Sequence, residues 1–261
     1  MKRIALSIVI VSIFGIVSCK QSSQPGTTGT NTQHKGGGIP FTAQWGTTGN
    51  LAATFQIDNN ITHYPDSTSS SGSESEVYLW DSASSVAVSG GTVTINGTSI
   101  PTMDHTADGD GLYYMLNSGN GQTVPMLYNG SQLIFAVSGN SNFAALKDTI
   151  AYVNKQVTIS SPALYDSLSA SAGFTITWPH NSGSTDTMSV ELIGDTSYYV
   201  KGTPDNGTFS VTPTMLTGFS TGSQISVIVT RITYKYATAS DGRQYVMACY
   251  SAENDIHGLK P

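Results

Sequence analysis

The chain has 261 residues and a formal net charge of −6, and 11% of its residues are charged. It contains 35 Ser, 32 Thr, 27 Gly and 10 Pro, a composition that excludes coiled coils and helical bundles, which need Ala, Glu, Lys and Leu in bulk. The acidic charge excludes a nucleic-acid-binding protein, because phosphate binding requires a basic face. The composition favours many short strands joined by turns.

The N-terminus has the features of a processing signal. Residues 1–3 carry two basic side chains, and residues 4–17 form a 14-residue stretch without a charged side chain. This stretch is shorter than the about 20 residues that a membrane-spanning helix needs. Its length is typical of the apolar region of a secretory signal peptide.

The apolar stretch ends in Ile-Val-Ser-Cys at residues 16–19. This motif resembles the lipobox of bacterial lipoproteins. The resemblance implies a signal peptide at residues 1–18, cleavage before Cys19, and acylation of the Cys19 thiol, so that the lipid anchors the protein to a membrane. Lys20 follows the Cys, and in Gram-negative members of the family this favours the outer membrane. A conventional signal peptide followed by a chance Cys is the alternative.

Residues 19–40 are predicted to comprise the lipidated Cys19 and a disordered linker. Residues 20–40 are rich in Gly, Ser, Thr and Gln and contain one aliphatic side chain, Ile39. Such a segment cannot bury enough apolar surface to offset the entropy of ordering it. We expect a flexible tether that lifts the folded part off the lipid surface.

Short runs of alternating apolar residues predict a first β unit over residues 41–154. Asn-Gly and Asp-Gly pairs between these runs are turn signals, and residues 64–75 are predicted as a long polar loop. Residues 142–153 suit a helix or a loop that leads into a strand at 149–153, and both interpretations stay open. The predicted strands are 51–57, 76–81, 92–95, 111–116, 126–128 and 132–137.

A second β unit is predicted over residues 155–261 and ends in a long hairpin. In this hairpin the apolar residues up to Val229 share one face, whereas the large residues from Ile232 to Tyr236 fall on the opposite face. Either a β-bulge near Arg231 restores a single buried face, or the tyrosines form an exposed surface. The predicted strands are 156–160, 173–178, 188–193, 197–201, 208–212, 224–236 and 243–251.

Two segments of the second unit carry a family resemblance: Thr-Ile-Ser-Ser-Pro at residues 158–162 and Phe-Thr-Ile-Thr-Trp at residues 174–178. They resemble the fibronectin type III or immunoglobulin-like domains of bacterial surface proteins. In the first unit, residues 90–97 followed by Tyr113-Tyr114 look like the immunoglobulin-like repeats of exported lipoproteins. The resemblance implies a sandwich fold and an exported location, and it implies no activity.

We therefore predict an all-β fold of two tandem immunoglobulin-like β-sandwiches, at residues 41–154 and 155–261, after the lipoprotein signal and the flexible tether. One larger closed sheet is the alternative architecture. If Cys19 is lipidated, Cys249 has no disulfide partner, and its apolar neighbours predict a buried small apolar residue.

Asp104, Asp108 and Asp110 lie within seven residues, with Gly positions that permit tight turns. Three carboxylates in such a loop can supply oxygen ligands to Ca²⁺, although their spacing differs from that of an EF-hand. Asp-Gly pairs are also ordinary turns, and a solvated turn is the favoured interpretation. Apart from this weak Ca²⁺ candidate, we expect no metal and no cofactor.

The sequence contains no recognisable catalytic motif, and we predict that the protein is not an enzyme. It has no G-x-S-x-G motif for a serine hydrolase. A glycosidase needs two carboxylates that converge in a cleft, and the acidic residues show no such local pairing outside the Asp cluster.

The aromatic residues are the candidates for a binding surface. The chain has 13 Tyr and 3 Trp, and we single out Tyr113, Tyr114, Tyr234 and Tyr236. Tyr side chains on a sheet face suit sugar rings and protein partners alike, and in a regular strand one of two adjacent tyrosines faces outward. Filling of the sandwich cores is the favoured alternative for these rings.

The expected protein is a lipid-anchored envelope or surface protein with a non-catalytic structural or adhesive role. Its expected partners are the membrane, through the lipid, and a glycan or an envelope protein, without nucleic acid. A surface-displayed carbohydrate-binding module is the alternative function. An esterase or glycosidase on a β scaffold is a more remote one.

Overall fold

The alternating segments form strands in the computed structural model, which describes residues 51–80, 87–105, 111–118, 131–151, 155–180 and 186–261. The predicted all-β fold class is confirmed, because the described ranges hold fifteen strands and the short 3₁₀ helix Pro213–Leu216. The strands are β1 (Leu51–His63), β2 (Ser69–Leu79), β3 (Val93–Ile95), β4 (Thr98–Ile100), β5 (Thr102–His105), β6 (Gly111–Asn117), β7 (Leu133–Val137), β8 (Leu146–Ile150), β9 (Ser167–Ser169), β10 (Phe174–Thr177), β11 (Thr187–Ile193), β12 (Tyr198–Pro204), β13 (Thr208–Val211), β14 (Gln224–Thr238) and β15 (Gln244–Lys260).

Nine of these strands form one long sheet in the order β12-β11-β14-β15-β1-β2-β6-β5, with β9 paired to the end of β15. β12 and β5 are the edges of this path, so the described sheet is open. β1 runs parallel to β15, with Leu51 beside Gln244 and His63 beside Asp255, and antiparallel to β2. The first and last long strands of the described chain are therefore neighbours at the centre of the sheet.

Two smaller sheets cover one face of the long sheet, which we call the inner face. The four-stranded sheet β4-β3-β7-β8 encloses the first core, where the rings of Phe55 and Phe135 lie 5.2 Å apart. The two-stranded sheet β10-β13 encloses the second core, where Ile176 and Val190 are fully buried. Each core is thus a sandwich in which two apolar sheet faces meet.

The β14–β15 hairpin contributes to both cores. Ile225 and Val227 belong to the second core, whereas Met247 and Cys249 belong to the first. Cys249 is buried, as the sequence predicts. One sheet therefore passes through both predicted units, and all described residues fall within one compact unit. The division of the chain after residue 154 stays a prediction.

The hairpin keeps an unbroken antiparallel register along its whole length, so no β-bulge interrupts it at Arg231. The large residues beyond Arg231 therefore lie on the side opposite to the two small sheets, which we call the outer face. Ile232 is buried there, Tyr234 is half-buried and Tyr236 is 45% exposed. The hypothesis that the tyrosines of this hairpin form an exposed surface therefore holds for Tyr236.

Arg231 itself lies on the inner face, between the two cores, and is 4% exposed. Its Nε donates to Asp205 Oδ2 at 3.0 Å, its Nη1 donates to the Lys155 carbonyl at 3.0 Å, and its Nη2 donates to the Pro179 carbonyl. Asp205 Oδ1 also accepts a hydrogen bond from Trp178 Nε1 at 2.8 Å. These bonds compensate a buried charge pair that would otherwise be costly.

Some segments differ from their predicted structure. The predicted polar loop at 64–75 is wrong in its second half, because β2 begins at Ser69. Residues 69–75 have no apolar side chain, and their backbone pairs with β1. The window 142–153 holds a strand, β8, and no helix in its described part. The predicted strand at 156–160 joins no sheet, because the Val157 N–H donates to the Ser251 hydroxyl at 2.6 Å.

Three short strands, β4, β5 and β9, have no clear sequence signal, and each takes its position from the strand with which it pairs. The predicted strand at 126–128 lies outside the described residues. The predicted signal peptide and tether lie outside them as well. No helix within the described part of the chain is long and apolar enough to cross a membrane.

Candidate functional site

The outer face gathers polar and aromatic side chains that belong to neither sandwich core. Alternate residues of a strand point to opposite sides of a sheet, so β1, β2 and β6 each present every second residue on this face. The register places Asp58 of β1 opposite Glu74 of β2, and Gln56 opposite Glu76. Tyr78 follows Glu76 on the same face of β2.

Three aromatic rings form a stack beside these carboxylates. Tyr78 stacks on Trp80 with ring centroids 5.9 Å apart and planes inclined by 12°, and on Tyr113 with centroids 5.1 Å apart and planes inclined by 16°. All three side chains are half-buried. We call Tyr78, Trp80 and Tyr113 the aromatic stack. Ring stacking of this kind holds the side chains in fixed positions and keeps part of their apolar surface near solvent.

The carboxylates next to the stack lie close to one another. Asp58 is 7% exposed, and its Oδ2 accepts a hydrogen bond from Gln56 Nε2 at 2.6 Å. Its Oδ1 is buried without a hydrogen-bond partner among the described residues. The carboxyl groups of Glu74 and Glu76 are hydrogen-bonded to each other, which requires a proton between them.

Burial and mutual repulsion favour the protonated forms of two of these carboxyl groups. Burial raises the pKa of Asp58 to about 7, and the charge of Glu74 adds to this rise. Burial raises the pKa of Glu76 to about 9, with further contributions from its hydrogen bond to Glu74 and from the charges of Glu74 and Asp58. At neutral pH, the hydrogen-bonded Glu74–Glu76 pair on the outer face therefore retains a proton.

We expect a Glu76→Gln variant to be more stable than the wild type at high pH. The pKa of Glu76 rises from 4.5 to about 9 on folding, so the folded state holds the extra proton between these values. The unfolding free energy therefore falls as pH rises through this window. Urea unfolding should show the variant stabilised by about 1–3 kcal/mol at pH 9, and within about 0.5 kcal/mol of wild type at pH 4.

The matched control is Asp66→Asn, where the pH effect has the opposite sign. Hydrogen bonds from Thr68 lower the pKa of the exposed Asp66 carboxyl, so any contribution from this group is present at high pH and disappears on acidification. An unchanged difference between Glu76→Gln and wild type from pH 4 to pH 9 would contradict the assignment of a proton to Glu76.

A second pair of aromatic rings lies further along the outer face, on β14. Tyr234 and Tyr236 contact each other edge to face, with ring centroids 5.6 Å apart and planes inclined by 78°. Tyr234 packs over a small buried apolar cluster that includes Ala248 and Tyr250 of β15. One row across the sheet connects this pair with the aromatic stack, because Tyr236, Val246, Thr54 and Tyr78 are successive partners in register and Tyr78 stacks on Tyr113.

The structure separates the two adjacent tyrosines of β6. Tyr113 faces outward in the aromatic stack, whereas Tyr114 is 1% exposed in the first core. The Tyr114 hydroxyl donates to the Gly91 carbonyl at 2.8 Å and accepts from the Gly90 N–H at 3.0 Å. Tyr114 has no surface to offer a partner, so its predicted binding role is corrected to a role in core packing.

The remaining predicted site residues are mostly outside the described residues. Asp104 is an exposed residue of β5, opposite Leu112 of β6. Asp108, Asp110 and Cys19 lie outside the described residues. The Ca²⁺ candidate and the lipidation of Cys19 therefore stay predictions.

Sequence reasoning missed the acidic residues of the outer face. The run Glu74-Ser75-Glu76-Val77 alternates polar and small or apolar residues, which is a signal for two different strand faces. That Asp58 of β1 joins the two glutamates depends on the β1–β2 register, which this local pattern does not specify.

The comparisons with known proteins add a similarity to solved structures and no match of sequence. No family model matches the sequence, and no curated protein matches it. Among solved structures, the chain is similar to part of a 1.5-MDa bacterial ice-binding adhesin. That structure was determined to explain how the adhesin is retained on the host cell surface. The identity is 13% over 81% of this chain and 65% of that chain, with a TM-score of 0.21. This chain spans less than two thirds of the adhesin chain, and a TM-score this low carries no argument about function.

Proposed function

We propose that the protein is an exported, lipid-anchored protein of the cell envelope with a non-catalytic adhesive role, and that its outer face binds carbohydrate. The N-terminal sequence supports the export and the lipid anchor, through the apolar stretch and the lipobox-like residues before Cys19. Lys20 supports the outer membrane as its location. The observation that carries the binding function is the aromatic stack beside the carboxylates of the outer face.

The chemistry of this face suits a saccharide. The C–H groups of a sugar ring pack against aromatic side chains, and its hydroxyls exchange hydrogen bonds with carboxyl and amide groups. Tyr78, Trp80 and Tyr113 supply the aromatic surface. Glu76 is the next residue of β2 on the same face before Tyr78, and Gln56 is its register partner on β1. Both kinds of group are held by regular strands, which favours a preformed binding surface.

A hydrolase is the second candidate, because the structure brings Asp58, Glu74 and Glu76 together. The two carboxyl groups of a retaining glycosidase lie about 5 Å apart, and those of an inverting enzyme lie further apart. The hydrogen bond between Glu74 and Glu76 engages the two carboxyl groups with each other, whereas either mechanism needs them to contact the substrate. This geometry favours binding over catalysis.

The test is glycan binding by the full-length, detergent-solubilised protein on a glycan array, with affinities for positive glycans measured by calorimetry. We expect Tyr78→Ala and Tyr113→Ala to weaken binding at least about fivefold each, since one buried aromatic contact contributes more than about 1 kcal/mol. In the same assay, Tyr234→Ala and Tyr236→Ala test whether the second aromatic pair extends the surface.

The matched control is Tyr198→Ala on the edge strand β12. Tyr198 is 59% exposed and lies about 24 Å from β2 across five strand spacings, so its removal should leave glycan affinity unchanged. Wild-type protein that binds no glycan, or stack variants that bind as well as the control, would overturn the carbohydrate proposal. Turnover of a glycoside or ester substrate would favour the hydrolase.

A further inference from the structure

A second group of polar side chains lies on the inner face, where β1 ends beside β15. His63 of β1 is the register neighbour of Asp255 of β15, and Glu253 precedes Asp255 by two residues on the same face. One donor atom from each of the three side chains lies within 4.8 Å of the other two. His63 Nε2 and Glu253 Oε1 are 3.0 Å apart.

Asp255 is the unusual member of this cluster. It is 1% exposed, and neither of its carboxylate oxygens has a hydrogen-bond partner among the described residues. Its register partner on β14 is Val227, a residue of the second core, so one side of the carboxylate is apolar. A buried carboxylate without a partner is strongly unfavourable, and proteins compensate such groups with a cation or a set of hydrogen bonds.

The other two side chains leave this charge uncompensated. Glu253, itself 6% exposed, accepts hydrogen bonds from His63 Nε2 and from the Ile159 N–H. Among the described residues, His63 is the basic side chain that pairs with the cluster, so two acidic groups share at most one positive charge. His257, two residues beyond Asp255 on the same face, adds a buried Nε2 that also has no partner.

We infer that His63, Glu253 and Asp255 bind a divalent transition-metal ion of the zinc class. One imidazole nitrogen and two carboxylates form a donor set that zinc accepts, whereas Ca²⁺ takes six to eight oxygen ligands. Ligand atoms about 2.1 Å from a tetrahedral zinc ion lie about 3.4 Å apart, so the three donors need shift by little more than 1 Å. The imidazole releases its Nε2 proton to solvent when the nitrogen binds the ion.

This ion would connect distant parts of the chain. His63 ends β1, both carboxylates belong to β15, and Glu253 also holds the segment after residue 155 through the Ile159 N–H. The His63 side chain is 23% exposed and provides the route for the ion from solvent. The site is independent of the outer face, so the cation inference does not rest on the proposed carbohydrate binding.

The test is calorimetric titration of the metal-stripped, full-length protein in detergent with Zn²⁺ alone, followed by Mn²⁺ and Ca²⁺. We expect one Zn²⁺ per chain, bound at least tenfold more tightly than Ca²⁺. At a free Zn²⁺ concentration 100 times its dissociation constant, the unfolding equilibrium constant should fall about 100-fold, with an upward shift in Tm. Co²⁺ in place of Zn²⁺ should give the visible absorption of a four- or five-coordinate site.

Two variants make the inference specific to these residues. Asp255→Asn keeps the size of the side chain and removes its charge, and His63→Gln removes a ligand whose side chain is 23% exposed, with little effect on packing. Both should lower Zn²⁺ affinity at least tenfold, whereas Asp195→Asn in an exposed turn should leave it unchanged. Absence of saturable Zn²⁺ binding by wild type, or wild-type Zn²⁺ affinity in both ligand variants, would overturn the inference. An Asp255→Asn gain in stability without any wild-type Zn²⁺ binding would also overturn it, because it would show that a proton neutralises Asp255.

Discussion

An Arg231→Ala variant is expected to lose about 3–5 kcal/mol of unfolding free energy, because it leaves the buried Asp205 charge without its partner. The Asp205 side chain is fully buried, and the guanidinium is its ion-pair partner at 3.0 Å. The same substitution removes the donors that satisfy the Lys155 and Pro179 carbonyls. Urea unfolding followed by circular dichroism measures the loss.

The control for this prediction is Arg243→Ala. Arg243 pairs with the 40% exposed Asp241 at 2.7 Å in the hairpin turn and donates to the Trp80 carbonyl at 2.7 Å, and a pair with one exposed partner contributes at most about 1 kcal/mol. The double variant Arg231→Met with Asp205→Leu should regain part of the stability that Arg231→Ala loses, since it removes both buried charges together. If Arg231→Ala and Arg243→Ala were equally stable, the central role of the Arg231 network would be wrong.

The second large effect concerns membrane attachment, and it follows from the proposed lipid anchor at Cys19. We expect Cys19→Ala to carry no lipid and to be unprocessed or released from the envelope, whereas the wild type begins at an acylated Cys19. Each buried CH₂ group of an acyl chain contributes about 0.8 kcal/mol to membrane binding, so loss of two or more chains removes the attachment. Mass spectrometry of the N-terminal peptide and envelope fractionation measure the outcome.

Cys249→Ala provides the matched control for the cysteine experiment. Cys249 lies buried in the first core, and burial raises the pKa of its thiol, which makes it unreactive. This variant should keep the wild-type lipid and the wild-type fractionation. Normal membrane fractionation of Cys19→Ala, or a wild-type N-terminus without lipid, would contradict the proposed anchor.

The strands that local patterns predicted well are those with one face buried in a core. β7 alternates buried and half-buried residues from Leu133 to Val137, and a period of two specifies such a strand directly. The serine-rich start of β2 carries no such pattern, because it forms by backbone pairing to β1. The predicted strand at 156–160 has the right pattern, but its backbone groups bond to side chains of β15.

The candidate sites depend on register between strands that are distant in sequence. Tyr113 could be singled out from composition, and its stacking on Tyr78 depends on the pairing of β2 with β6. His63 and Asp255 meet because β1 runs parallel to β15, a pairing without a local turn that would indicate it. Periodicity could assign each of these residues to a strand face, but it could not specify which strands become neighbours.

The central position of β1 has a mechanical consequence. Under the proposed anchor at Cys19, a protein that is engaged on its surface would experience tension along β1, the first strand of the described chain. β1 is hydrogen-bonded along both of its edges, to β2 and to β15. A pulling force in this direction shears both ladders at once and distributes the load over many bonds, whereas a strand at a sheet edge would peel away one bond at a time.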